Sequence, residues 1–478
     1  MNLAAKDSKI FENDEIDIVK SRPESSNDIS NGITLEEAEA IENLSDVKCL
    51  NINEGKWAKI NRKRDKLKLG QYVGLITIGK LSFEILPKVE NSNNKNTQLA
   101  DLRTMILLAD KFRYSSRGFD NKSSTDDEEG LLESITKSFF EKVNIELIFG
   151  LRRTYNEYKE SIPSLRGRLN LNEFALNYCR RPHLLPCIYD EFTEDSRINQ
   201  IIKQAVSILV RHPKFSGFNS NIKNLGFGIL DGMTNVSDTR FSYSDVQSIK
   251  TSRLESRYSD LLEFSKNIIR GNEPFIRPKG DQNLKAGFTM VWEMSSIYES
   301  AIAQKFEEYF KGSKYNNTYR VIKQGIRPGD LKLDNEWGHH EGNQHLAHES
   351  DAKNTGRFLL KPDIMILNTK TKKVVAVLDT KWKNYKSKEK DDEDYKSISR
   401  EDAYQMLSYA SSKRPDGSNE YPVVGLLCPS LEPIPTEVLE FTNTKSKFIL
   451  SWVPVTEVGL NNFELQNIFG NKLNLIIK

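Results

Sequence analysis

Residues 377–383 read Val-Leu-Asp-Thr-Lys-Trp-Lys, an apolar run of strand character interrupted by an acid and a base placed two apart. Side chains at i and i+2 of a strand share one face, so Asp379 and Lys381 point the same way. On an exposed strand such a pair is an ordinary surface ion pair, and a bare Asp-x-Lys signals nothing more. The surrounding sequence has to decide between that reading and a site.

Upstream, residues 291–310 (V-W-E-M-S-S-I-Y-E-S-A-I-A-Q-K-F-E-E-Y-F) form a long amphipathic helix. Its apolar stripe runs through Met294, Ile297, Tyr298, Ala301, Ile302, Phe306 and Tyr309, with Glu299 on its shoulder. Residues 318–324 then read as a strand. A second strand at 358–367 carries Asp363, and a polar turn leads to the third, V-V-A-V-L-D-T-K-W-K. Residues 400–410 are a helix and 423–428 (V-V-G-L-L-C) a buried strand. The order is helix, three strands, helix, strand. Asp363 and Asp379 lie 16 residues apart, each with apolar flanks, so a hairpin brings two carboxylates and a lysine together.

The remainder of the chain divides by pattern. With 478 residues it exceeds one typical core, and two or three domains are expected. Residues 1–33 read as a polar, acidic, disordered leader. A β-rich domain is expected over 34–90: Thr34 and Glu37 form a capping box for a short helix, and short strand-like runs follow from about residue 47. Within it, N-R-K-R-D-K-L-K (61–68) is a basic hairpin or loop, either a solvated face or a contact surface. Residues 91–98 are a polar linker, and 99–284 read as a helical arm, with helices around L-R-T-M-I-L-L-A-D-K-F, L-L-E-S-I-T-K-S-F-F-E-K-V and a third capped near Asp195. Arg166 and Arg168, in L-R-G-R-L, suit phosphates or structural pairing equally well.

Composition narrows the function classes. Four cysteines (Cys49, Cys179, Cys187, Cys428) without C-x-x-C spacing speak against a disulfide framework or thiolate zinc site and fit a reducing compartment. No apolar run is long enough to cross a bilayer and no signal pattern is present, so a cytoplasmic protein with no membrane contact is expected. Residues 1–46 hold 12 Asp/Glu and 4 Lys/Arg, net −8, so the remaining 65 Lys/Arg and 55 Asp/Glu carry +10. A basic body permits a polyanionic partner without requiring one. Among the histidines, His339, His340, His345 and His348 cluster in an insertion-like segment, with zinc binding the functional reading and an irregular loop the plainer one. No G-x-x-x-x-G-K-[ST] loop occurs, so any nucleotide hydrolysis belongs to a partner.

The C-terminal pattern, with Pro-Asp entering the second strand and Asp-x-Lys on the third, resembles the PD-(D/E)XK nuclease core, αβββαβ. Gln405 and Tyr409 in Q-M-L-S-Y resemble the Q-x-x-x-Y element that many of its members carry on the next helix. More of the chain, from about residue 34, resembles the McrC family. The shared stretches are Y-V-G-L-I-T-I-G-K-L-S-F-E-I-L-P-K, L-R-G-R-L, Y-D-E-F-T-E-D-S-R-I-N-Q, M-S-S-I-Y-E-S, K-P-D-I, L-D-T-K-W-K and Y-Q-M-L-S-Y-A.

That resemblance implies a 285–478 endonuclease domain on a multidomain α+β or α/β chain. The β-rich part would engage a hexameric McrB-like AAA+ GTPase, and the substrate would be double-stranded DNA. It further implies Asp363, Asp379 and Lys381 as catalytic, Glu299 and Gln405 beside them, and Mg²⁺ held by Asp363, Asp379 and Glu299. GTP would be bound by the partner. Arg62 and Arg64 would be candidates for stimulating that partner. A self-sufficient RecB-type repair nuclease and a non-catalytic NTPase activator remain alternatives at this stage.

Overall fold

The computed structural model describes residues 8–20, 31–46, 57–78, 81–89, 95–109, 130–177, 180–251, 257–272, 288–313, 315–323, 361–383, 398–412, 421–441 and 446–476. The chain opens with β1 (Ser8–Phe11), β2 (Glu15–Val19), β3 (Ile33–Thr34), α1 (Leu35–Glu42), β4 (Lys59–Asn61), β5 (Lys66–Lys68), β6 (Tyr72–Ile78) and β7 (Leu81–Leu86). Next come α2 (Lys95–Leu108), α3 (Leu131–Phe149), β8 (Thr154–Ile162), β9 (Arg168–Leu169), α4 (Leu171–Asn177) and β10 (Leu185–Thr193). Helices α5 (Arg197–Val210), α6 (Ser220–Gly232), α7 (Tyr243–Gln247) and α8 (Ser259–Gly271) follow. The last part runs β11 (Thr289–Glu293), α9 (Met294–Gly312), β12 (Tyr319–Lys323), β13 (Ile364–Asn368), β14 (Val374–Thr380), α10 (Arg400–Ser412), β15 (Val423–Ser430), β16 (Glu437–Glu440) and β17 (Lys447–Pro454), and ends in short helical turns.

These elements form a mixed α/β architecture on several sheets. The largest has the order β12-β13-β14-β15-β17-β16. Its first three strands are antiparallel, while β14-β15 and β15-β17 are parallel. Every residue of β15 is buried, the continuous apolar run expected of a parallel strand covered on both faces. One face packs Ala376 and Leu378 with Tyr298 and Ile302 of α9 in the main core. The other packs Val377 with Met406 and Tyr409 of α10. An N-terminal sheet, β1-β7-β6-β11, contributes Val73, Leu75 and Leu86 to that same main core. Its opposite face closes a second core with Ile41 and Trp57. No helix of the described residues is long and apolar enough to cross a membrane.

Local signals act as expected at several points. Thr34 caps α1, with the reciprocal Glu37 bond completing the box. α5 starts one residue later than expected: Ser196 is its cap, while Asp195 accepts from Gln200 and from Ser237.

Four expectations need correction. The acidic leader contains β1 and β2, and β1 pairs in parallel with β7; Glu12 and Ile16 are buried there, a pattern too short to stand out. The helical arm carries a three-stranded antiparallel sheet, β8-β10-β9. Its strand β8 (T-Y-N-E-Y-K-E-S-I) has no buried residue, so neither face shows apolar alternation. Residues 289–293 are a strand, not the start of a helix, and β11 pairs with β6 across the proposed boundary at 285. A chain cut near 270–285 therefore loses an edge strand of the N-terminal sheet. Finally, α2 begins at Lys95, inside the stretch read as a linker. The first expected strand-like run, at 47–52, and the histidine segment 339–348 lie outside the described residues.

Candidate active site

The antiparallel register sets Ile364 opposite Leu378, so Asp363, immediately before β13, lies across from the last residues of β14. Its Oδ2 accepts two hydrogen bonds from Thr380, from the backbone N–H at 2.8 Å and the hydroxyl at 2.7 Å. Asp379 is 2% exposed, which removes the surface ion pair reading. Lys381 Nζ lies 2.7 Å from Asp379 Oδ2 and donates to Gln405 Oε1 at 2.9 Å. Acid and base thus share one face of the strand, as their i, i+2 spacing requires. Lys381 is also tied to the sheet, its N–H donating to the Leu427 carbonyl at 3.0 Å.

Helix α10 closes the network from one side. Gln405 and Tyr409, one turn apart, are joined by Gln405 Nε2 donating to Tyr409 Oη at 2.9 Å. The Tyr409 hydroxyl faces the Lys361 carbonyl at 3.2 Å and Asp379 Oδ1 at 3.4 Å. Asp402, a turn before Gln405 and 4% exposed, takes the Lys383 ammonium at 2.8 Å and stands 3.7 Å from Lys381 Nζ.

The ionisation of the group follows from burying like charges together. Burial, then the neighbouring Glu299 carboxylate, push Asp363 above the usual carboxylate range against the two Thr380 bonds. Burial, then Asp363, do the same to Asp379 against Lys381 and Tyr409. Burial alone would lower Lys381, yet Asp379 outweighs it and holds the ammonium above its ordinary range. Burial, then the neighbouring Asp379 carboxylate, push the Tyr409 hydroxyl well above the usual phenol range, so it stays protonated near neutrality.

The structure thus brings Asp363, Asp379, Lys381, Gln405 and Tyr409 into one network and places Glu299, on α9, within electrostatic reach of Asp363. Arg62 and Arg64 lie elsewhere, at the β4–β5 turn; Arg62 Nη2 is 3.8 Å from Glu39. Arg166 and Arg168 are paired with acids, Glu191 at 3.5 Å and Glu157 at 3.6 Å. Sequence reasoning missed Asp402, Lys383 and Thr380. For Asp402 the signal was present, since it precedes Gln405 by three residues and so shares its helix face.

Two carboxylates whose proton affinity is raised by burial and by a neighbouring acid, Glu299 for Asp363 and Asp363 for Asp379, are what a bound divalent cation would relieve, and hard oxygen donors suit Mg²⁺. Among the described residues no group of three or more His, Cys, Asp or Glu side chains gathers to hold a metal. Mg²⁺ commonly keeps several waters, so Asp363 and Asp379 would hold it together with water or phosphate oxygens.

Fold and site together define a mixed α/β protein with a buried two-carboxylate, one-lysine centre at the ends of paired strands. Residues 67–418 match the family described as McrBC 5-methylcytosine restriction system component, and the chain belongs to that family. The match includes Glu299, Asp363, Asp379, Lys381 and Gln405 and begins just after Arg62 and Arg64. A comparison with curated proteins finds no match. Among solved structures, the fold is similar to a chain from a half-complex of the tetradecameric assembly of Thermococcus gammatolerans McrB AAA+ hexamers with bound McrC. That likeness has a TM-score of 0.62 and 16% identity, over 98% of this chain and 99% of that one. A chain from the Thermococcus gammatolerans McrBC complex matches at TM-score 0.44 and 15% identity, over 64% of this chain and 89% of that one.

Proposed function

We propose that this chain is the DNA-cleaving subunit of an McrBC-type restriction complex. In this reading it is a Mg²⁺-dependent endodeoxyribonuclease of the PD-(D/E)XK kind, working when assembled with an AAA+ GTPase hexamer that recognises modified DNA and binds the GTP. The carrying observation is the buried cluster of Asp363, Asp379 and Lys381 on a helix, three strands, helix, strand arrangement. Family membership supports the restriction context, and the similar fold in an assembly of McrB hexamers with bound McrC supports the partner.

In this reading Asp363 and Asp379 hold the cation, with Glu299 beside them. Mg²⁺ bound there supplies Lewis acidity to the scissile phosphate and lowers the pKa of a bound water. The chain's own residues do the rest. Thr380 fixes the rotamer of Asp363 through two donors to one oxygen. Lys381, held protonated by Asp379, orients water and offsets negative charge developing on the phosphate and is not the proton acceptor in this state. Gln405 steers the Lys381 amine.

The test is cleavage of cytosine-methylated DNA by the full chain with an McrB-type partner and GTP. Asp379→Ala should lose cleavage entirely while still binding and stimulating the partner, whereas EDTA should abolish cleavage by the unsubstituted protein together with the partner's Mg²⁺-dependent GTP hydrolysis. Full cleavage by folded Asp379→Ala would overturn the assignment.

A further inference from the structure

The sequence V-L-D-T-K-W-K has a second charged partner that its own domain does not supply. Along β14 and beyond, alternate residues face opposite ways: Ala376, Leu378 and Trp382 enter the core shared with α9. Asp379, Lys381 and Lys383 meet α10 residues on the other side. Trp382 is thus the back of the strand tip whose front carries Lys381. Its ring packs against Tyr298 of α9 at 5.2 Å between centroids, next in sequence to Glu299. Its indole Nε1 donates to Glu12 Oε1 at 2.6 Å, a contact spanning 370 residues of sequence.

Glu12 is 1% exposed and is held from several directions. Its N–H donates to the Leu86 carbonyl at 2.8 Å, and Oε1 also accepts from the Lys88 N–H at 3.0 Å. The turn after it is fixed by Asn13 in the left-handed region, φ 62°, and by the Phe11 N–H donating to Asp14 at 3.2 Å. Glu12 Oε2 has no hydrogen-bond partner among the described residues. A carboxylate in the interior with one oxygen unsatisfied is costly. Burial pushes Glu12 up to about 7, against the Lys88 N–H and the indole. The hydrophobic core alone would be served better by an apolar side chain, so the cost requires a return elsewhere.

We propose that Glu12 is a positioning residue of the candidate nuclease site, fixing the Lys381–Lys383 tip of β14 from behind through the Trp382 indole. The inference rests on the nuclease reading. Its physical basis is that the tip lies beyond the last residue of β14, where the Lys381 N–H bond to Leu427 is the ladder bond that remains. Rotation of Trp382 would displace both flanking amines, and misplacement by about 1 Å can cost about 10²-fold in rate.

The experiment uses the full chain with its partner, in single-turnover DNA cleavage, together with the indole N–H spectrum of ¹⁵N-tryptophan-labelled protein. Trp382→Phe keeps the ring and removes the donor; the resonance it deletes is that of Trp382. In the unsubstituted protein that resonance should lie downfield and exchange slowly; Glu12→Ala should move it upfield, and Glu12→Gln, which keeps an acceptor oxygen, should largely restore it. Both Glu12→Ala and Trp382→Phe should slow cleavage tenfold or more, their combination no further than either alone, with partner nucleotide turnover unchanged. Since Glu12→Ala risks the fold, Trp382→Phe carries the decision. Cleavage within twofold of the parent in folded Trp382→Phe overturns the proposal, as does an indole signal indifferent to Glu12. An unsubstituted protein that cuts no DNA is a different failure: it removes the nuclease reading, and this proposal with it.

Discussion

Two charged clusters in this chain invite a functional reading, and the fold treats them in opposite ways. At the ends of β13 and β14, Asp363, Asp379 and Lys381 are drawn into the interior, cross-linked to Thr380, Gln405 and Tyr409, and shifted in ionisation. At the β4–β5 turn, Arg62 is 80% exposed at its side chain and sits 3.8 Å from a half-exposed Glu39. Nearby Lys66 is 3.5 Å from Glu15 and 3.6 Å from Asp17. Burying charge costs several kcal/mol unless partners repay it, so the first cluster demands an explanation from within the molecule. Exposed charge costs almost nothing, so the second requires none and can be explained only by something outside. The difference shows which feature a single chain's structure can interpret.

If the interior cluster works as a unit, Gln405→Ala should leave Lys381 shared between Asp379 and Asp402 and lower single-turnover cleavage about 10- to 100-fold, the range typical of outer-shell residues. Tyr409→Phe, which removes the hydroxyl beside Asp379, should fall at the low end of that range. Rates equal to the parent in both variants would show that the α10 contacts are packing alone and would leave the site resting on the hairpin.

A second probe concerns stability. Glu12 is raised to about 7 from 4.5, by burial, and Asp101 to about 6 from 3.8, by burial against the Glu457 N–H that it accepts at 2.8 Å. A carboxyl whose folded value lies above its unfolded one contributes fully below the unfolded value and loses that contribution as pH rises through the folded one. The window here runs from about pH 4 to 7, with a loss on the order of 3 kcal/mol for each group as an upper bound. Over that window the melting temperature of Glu12→Gln combined with Asp101→Asn should therefore fall less, or rise more, with pH than that of the unsubstituted protein. An unchanged slope in the double variant would mean that neither acid is buried as described.

The same contrast explains what the sequence revealed. The hairpin was legible because its chemistry violates its own pattern: Asp379 interrupts a run of apolar residues, and such an interruption has few structural excuses. Gln405 and Tyr409 were legible through helical spacing. Glu12 was not, because a single acid among Asp7, Asp14, Glu15 and Asp17 looks like any solvated residue until β1 pairs with β7. The β8-β10-β9 sheet was hidden for the converse reason: periodicity reports burial, and β8 buries nothing. β11 was masked by continuity, since T-M-V-W-E runs straight into a helix whose apolar stripe extends backward through Val291 without a break.

The smallest expected effect lies at the basic hairpin. The β4–β5 turn is built by backbone and not by its cations: Arg64 N–H donates to the Asn61 carbonyl at 3.1 Å, Lys63 N–H to the Asn61 side chain at 3.2 Å, and Ile18 N–H to the Asp65 carbonyl at 2.7 Å. Asp65 itself takes the left-handed conformation, φ 49°, which an Asp tolerates better than most residues. None of these bonds involves a guanidinium. Arg62→Ala/Arg64→Ala should accordingly change unfolding free energy by no more than about 0.5 kcal/mol, measured by thermal melting in low salt, where any surface contribution is greatest. With stability so nearly constant, steady-state GTPase turnover of the partner becomes a clean readout. Reduced stimulation assigns the hairpin tip to the partner interface, and unchanged stimulation returns it to an ordinary solvated turn.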